Sequence, residues 1–253
     1  MLQINYHYSK VGKQKMNCKN CDTEINQNYC HNCGKAATLK RIDHHYIVHE
    51  ITHLFHFEKG ILYTIKQLFT KPGTAVRNFI NEDRSRLVKP VVFIIVTSLV
   101  FSIISHFFHI ESFVSYKETD NGSTVDKMFK WGDVNSGYAN IIIGIFIALW
   151  VKLFFRKYGY NLYEILILLC FVTGISMIIF SASALLQALT HIPLMKASGI
   201  VGLAYCTWAI GDFFDKYQKS SYVKSFFAYV LGLVSFSISM ILVGTIIDKL
   251  FGV

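Results

Sequence analysis

PVVFIIVTSLVFSIISHFFHI, residues 90–110, runs 21 positions without an Asp, Glu, Lys or Arg. At about 1.5 Å per residue, a helix of that length covers the ~30 Å hydrocarbon core of a bilayer. Four further stretches read the same way, near 138–155, 163–189, 198–214 and 225–247. The fourth is the shortest, so the five-span count rests on it. Composition agrees. Of 253 residues, 53% are hydrophobic and 16% are charged, with 21 Phe and 14 Tyr against 3 Pro. A soluble domain carries about 25% charged residues, and a disordered chain is poor in aromatics. Both classes are excluded.

Charge and hydrophobicity are segregated at Lys89-Pro90. Residues 1–89 hold 14 of the 25 basic and 7 of the 16 acidic residues, a net of +7 within the chain's +9. The first residues, MLQINYHYSKVGKQKMN, have no apolar core and do not read as a secretory signal. Threading five spans with the N-terminus in the cytosol puts 20 basic residues inside and 5 outside, as the positive-inside rule demands. The expected placement is the bacterial inner membrane, with the N-terminus cytosolic and the C-terminus outside. Loop 111–137 is then external and polar.

Cys18, Cys21, Cys30 and Cys33 form a C-x2-C-x8-C-x2-C pattern. Each C-x2-C suits one knuckle turn, and two knuckles bring four sulfurs to one tetrahedral Zn2+. Gly34 supplies the permissive backbone that the second turn needs. Reduced cytosolic thiols favour a metal over disulfides. A four-thiolate site leaves no open coordination position, so this zinc is expected to be structural. So small a ribbon buries little, and metal binding supplies its folding energy. The lysines around it fit a face near anionic lipid better than a nucleic-acid surface, because no aromatic-basic motif accompanies them. Cys170 and Cys206 read as packing residues within spans.

Residues 45–69 fit a single amphipathic helix, with Ile47, Ile51, Leu54, Phe55, Ile61, Leu62, Ile65, Leu68 and Phe69 on one face. His45, His49, His53 and His56 share the other, a candidate second metal site or pH-responsive patch. Lys71-Pro72-Gly73 stops the helix, and 74–86 reads as a second short helical stretch. Within the first lies His49-Glu50-Ile51-Thr52-His53, an H-E-x-x-H in which two His one turn apart hold zinc and Glu50 is the base. Five His in thirteen residues (44–56) make the spacing easy to obtain by chance. The conceivable third ligands are Glu82, Glu164, Asp212 and His106. The pair also sits on the polar face of a superficial helix, whereas a protease buries its site.

Other polar groups cluster at span ends. His106, His109 and His191 fall at the outer side, as interfacial histidines or a vestibule. Glu164, Asp212 and Asp215 fall at the inner side and are expected to pair with Lys152, Arg156 or Lys216. Ser98, Ser102, Ser105, Ser235 and Ser239 give small-residue faces for close helix packing. No charge lies near the bilayer centre, which argues against a proton-coupled pump.

The expected fold class is therefore an all-α membrane protein of about five transmembrane helices in a bundle, with a small N-terminal zinc ribbon and an amphipathic juxtamembrane helix. The expected division is 1–40 cytosolic zinc ribbon, 41–88 amphipathic juxtamembrane helices and 89–253 five-span region. CKNCDTEINQNYCHNCGK (18–35), HEITHLFHFEKGILYTIKQLFTKPG (49–73) and RSRLVKP (84–90), in this order, resemble a bacterial family of unknown function. Its members combine a zinc ribbon, a His-containing amphipathic segment and a multi-span region. Leu87 stands where that family carries an aromatic. The five-span layout is also similar to Yip1-type membrane proteins at the level of topology. The resemblance implies an architecture and no activity.

Three functions follow as expectations. The first is a non-enzymatic membrane protein whose ribbon and His-rich helix bind a cytosolic protein partner. In that reading the five helices anchor or homo-oligomerise. The second is a channel or pore, such as a bacterial defence effector that depolarises the membrane, motivated by a compact helical bundle with small-residue faces and polar ends. The third is an H-E-x-x-H zinc metalloprotease.

Overall fold

The computed structural model describes residues 16–25, 28–34, 36, 43, 60–108 and 123–251. The first element among the described residues is a small antiparallel hairpin, β1 (Met16–Asn17) and β2 (Glu24–Ile25), with Met16 opposite Ile25 and Asn17 opposite Glu24. Eight α-helices follow among the described residues. They are α1 (Ile61–Thr70), α2 (Pro72–Asn81), α3 (Pro90–Phe107), α4 (Thr124–Val134), α5 (Ser136–Phe154), α6 (Leu162–Thr190), α7 (Met195–Asp215) and α8 (Lys219–Phe251), with a 3-10 turn at Arg156–Tyr158.

Five of these helices, α3 and α5 to α8, are long and apolar enough to cross a bilayer. Each carries one of the five stretches read from the sequence, the shortest included. The chain is a multi-pass helical membrane protein. Helix α6 forms the axis. Of its most apolar stretch 61% is buried, against 11% for α8, and α3, α5 and α7 pack around it. Helix α8 lies on the rim against α5 and α7.

Close helix approach comes from glycine and serine together. A Cβ at Gly174 of α6 would stand 2.6 Å from the Phe93 ring, and one at Gly232 of α8 would stand 2.6 Å from the Ile147 Cα. Ser98 is buried where α3 crosses α5, and its hydroxyl accepts from Asn140 Nδ2 at 3.3 Å. Ser235 Oγ accepts from the Trp150 indole at 3.2 Å. An unpaired polar group is costly in hydrocarbon, so such pairs fix which faces meet.

Three expectations change. The single helix over 45–69 is not continuous: Gly60 has φ 149°, outside any helix, and α1 begins at Ile61. The second short stretch begins earlier than expected, at Pro72, whose missing N–H suits a helix start. The polar loop 111–137 contains α4, capped by Ser123 and laid on the end of α8, where the Thr124 N–H donates to Asp248 Oδ1 at 3.1 Å.

Candidate metal centre and hairpin seat

The ribbon is built from two equivalent turns. The Asp22 N–H donates to the Cys18 carbonyl at 2.8 Å, and the Gly34 N–H donates to the Cys30 carbonyl at 2.8 Å. Each turn ends in the left-handed region, Asp22 at φ 60° and Gly34 at φ 71°. Glycine adopts that conformation freely, and Asp is among the few other residues that visit it. The sequence reading found Gly34 and missed Asp22. The signal was present, since both residues stand four positions after the first cysteine of their pair.

These turns gather the four sulfurs of Cys18, Cys21, Cys30 and Cys33 within 4.8 Å of one another. Cys18 and Cys33 stand 3.5 Å apart, and Cys21 and Cys30 stand 3.6 Å apart. A disulfide requires about 2.05 Å. Four ligands at about 2.3 Å from a tetrahedral zinc stand roughly 3.8 Å from one another. The donor set and spacing therefore fit one metal ion. Thr23 hydrogen bonds, from side chain and backbone, hold the Cys21 thiol down to about 6. At Cys30 the Cys33 N–H favours the thiolate, but burial and the adjoining Cys21 and Cys33 sulfurs push the thiol up to about 11. A divalent cation removes that conflict. Ile25 is buried against Cys18 and Cys30, so the four-sulfur cluster occupies the centre of the ribbon. Among the described residues, these four are the group of three or more His, Cys, Asp or Glu able to share an ion.

The first turn rests on the helices. Lys19 Nζ donates to the Asn81 carbonyl at the end of α2, and Arg86 donates to Asn20 Oδ1, both at 3.3 Å. Asp83 aims Arg86 through an ion pair of 3.3 Å. The second turn is joined to the first by Asn32 Nδ2, which donates to Thr23 Oγ1 at 3.3 Å, and leaves Tyr29, His31 and Asn32 exposed.

Helices α1 and α2 form a hairpin seated against α6 and α7. Asp212 is buried at the end of α7, and its carboxylate accepts the Gly73 N–H at 2.8 Å. The negative charge thus faces the positive end of the α2 dipole. In return, Arg77 of α2 donates to the Asp212 and Phe213 carbonyls at 2.5 and 2.6 Å, capping the last turn of α7. The two helices cap each other. Phe79 sets its ring edge-on to Phe171 at 5.3 Å, and the Tyr205 hydroxyl donates to the Leu68 carbonyl at 3.0 Å. The Val88 N–H donates to the buried Thr64 hydroxyl at 3.0 Å and holds the hairpin to the start of α3.

The acids at this end were expected to pair with Lys152, Arg156 or Lys216. Asp212 serves the hairpin instead. Asp215 accepts the Tyr217 N–H at 3.1 Å, and Lys152 donates to the Tyr160 carbonyl. Glu164 closes a capping box with Asn161 at the start of α6, through bonds of 2.7 and 2.8 Å. Glu164 and Asp212 are thus engaged in helix capping. Cys206 is buried and lies 3.1 Å from Ser176 Oγ, the packing role expected of it. His45, His49, His53, His56, Glu50 and His109 lie outside the described residues. His106 ends α3, and His191 closes α6 at φ 57°.

Residues 58–102 match the family described as "Protein of unknown function (DUF3667)". The match spans the hairpin, the turn that receives the ribbon and most of α3. It leaves out the four cysteines and the later spans. No curated protein and no solved structure matches the chain.

Proposed function

We propose that this protein is a non-enzymatic adaptor of the bacterial inner membrane, whose N-terminal zinc ribbon presents a cytosolic protein partner to the membrane bundle. The supporting observation is the division of labour between the two turns. Four sulfurs close the coordination shell and leave no position for substrate. The first turn is tied to Asn81 and Arg86, while the second displays Tyr29 at 66% exposure beside His31 and Asn32. An exposed aromatic on a rigid, metal-held turn is the kind of anchor that protein interfaces use. The cytosolic assignment draws support from charge. Lys152, Arg156, Lys157, Lys216, Lys219 and Lys224 all fall at the hairpin end of the bundle.

Quantitative co-purification of the full chain from membranes tests this reading. The Cys30→Ser/Cys33→Ser variant should lose its partner while remaining in the membrane fraction. Tyr29→Ala should weaken capture with the metal retained. An unchanged set of co-purifying proteins in the double-cysteine variant refutes the adaptor.

A further inference from the structure

We infer that the outward face of α1 is immersed in phospholipid acyl chains, so that the α1–α2 hairpin enters one leaflet rather than lying on its headgroups. The argument begins with depth. Helix α7 has 21 residues, about 31 Å at ~1.5 Å per residue, which matches the hydrocarbon core. Tyr205 is its eleventh residue, so its Cα stands at the middle of that length. Its hydroxyl bonds the Leu68 carbonyl, and its ring lies 5.9 Å from that of Phe69. One tyrosine side chain does not cover ten residues of helix. The last turn of α1 therefore lies alongside α7 between its two ends, whichever way the ring points.

The composition of α1 fits that depth. Thr64 and Leu68 are buried against the bundle, whereas Leu62 is 78% exposed, Tyr63 47% and Phe69 41%. The outward face of α1 thus carries three large apolar side chains beside Lys66 and Thr70. Lys66 is the one charged residue on α1, and its long stem lets the ammonium reach the headgroups.

Backbone at membrane depth must be satisfied by protein, and three N–H groups around the turn between α1 and α2 are. The Lys71 N–H donates to the Gln67 carbonyl, Pro72 has no N–H, the Gly73 N–H takes Asp212, and the Ala75 N–H donates to the Lys71 carbonyl. Pro72 and Gly73 are both buried. Each of these donors is answered without water.

The full chain, reconstituted in phosphatidylethanolamine–phosphatidylglycerol vesicles, carries p-benzoylphenylalanine at position 62, 69 or, as a control, 217, where Tyr217 is 88% exposed. After irradiation, mass spectrometry should find phospholipid joined through acyl carbons at 62 and 69, at least tenfold above 217. At position 62, adducts to another segment of this chain, to a second copy, or to headgroup and glycerol atoms alone overturn the inference, as does a yield at either position equal to that at 217; at 69 some adduct to the adjoining Tyr205 is expected beside the lipid. A second variant is independent of the cross-linker. Phe69→Trp in vesicles of acyl-brominated lipid should show its added fluorescence quenched at least twofold, and an unquenched increment also overturns the inference.

Discussion

Gly73→Ala places a methyl group against backbone that cannot move aside. Its Cβ would stand 2.3 Å from the Asp212 carbonyl carbon and 2.4 Å from the Phe213 nitrogen. Ordinary contact needs about 3.5 Å, so α2 must lift by roughly 1 Å. The Gly73–Asp212 hydrogen bond, now 2.8 Å, then stretches past the range of a real bond. Losing a charge-assisted bond from a buried acceptor costs about 1.5–3 kcal/mol. Residual overpacking costs a further 1–3 kcal/mol or so. The expected loss is about 2.5–6 kcal/mol, which is a large share of a typical protein's stability. Unfolding in mixed micelles of rising denaturing-detergent fraction, followed by tryptophan fluorescence, reads it. Gly144→Ala on α5 is the control, since nothing lies within 4 Å of its added Cβ; it should be neutral or stabilising by up to about 1 kcal/mol. Asp212→Ala alone should also destabilise, but by much less in the Gly73→Ala background, because both remove one contact. Gly73→Ala within about 0.5 kcal/mol of wild type, or strict additivity in the double variant, refutes the clasp.

Titration of the full chain with cobalt(II) should give one equivalent with the absorption of a tetrahedral four-thiolate site, and Cys18→Ser should abolish it. A second equivalent that disappears in His49→Ala would assign a site to the histidine stretch. At the first turn of the ribbon, Asp22→Gly should hold metal at least as well as wild type. Asp22→Val should cost about 1–2 kcal/mol through its left-handed backbone, read as faster loss to a chelator; equal retention by both would show the two turns are not equivalent. At the start of α6, Asn161→Ala should lower stability by about 1 kcal/mol and Glu164→Gln by much less, because glutamine preserves the capping box. Equal losses would assign Glu164 a role that needs its charge.

What could be read from the chain follows the range of each interaction. The five spans emerge because about twenty consecutive residues must each satisfy the same solvent, and the structure places them within a few residues of the reading. The four cysteines emerge because both ligand pairs sit within single turns, with Gly34 marking one of them. Asp22 carried the same signal in a residue type that does not advertise it. The hairpin seat was out of reach. Gly73 and Asp212 are 139 residues apart, and nothing local to Asp212 indicates that a backbone amide will meet it. Lysines and arginines nearby made ion pairing the natural expectation. The interruption at Gly60 was hidden for the opposite reason: the apolar period runs through it undisturbed, and only its φ of 149° keeps Gly60 out of the helix that begins at Ile61.

The mutual capping of α2 and α7 also orders events in time. The hairpin leaves the ribosome well before its seat exists. At roughly 5–20 residues per second, the 139 residues between Gly73 and Asp212 take about 7–28 s to synthesise. During that interval Gly73 has no carboxylate and Arg77 no carbonyls to meet. Docking must therefore wait for the fourth span to be threaded, which makes it a late step of biogenesis. A chain truncated before Asp212 would insert its first three spans and leave the hairpin open to proteolysis.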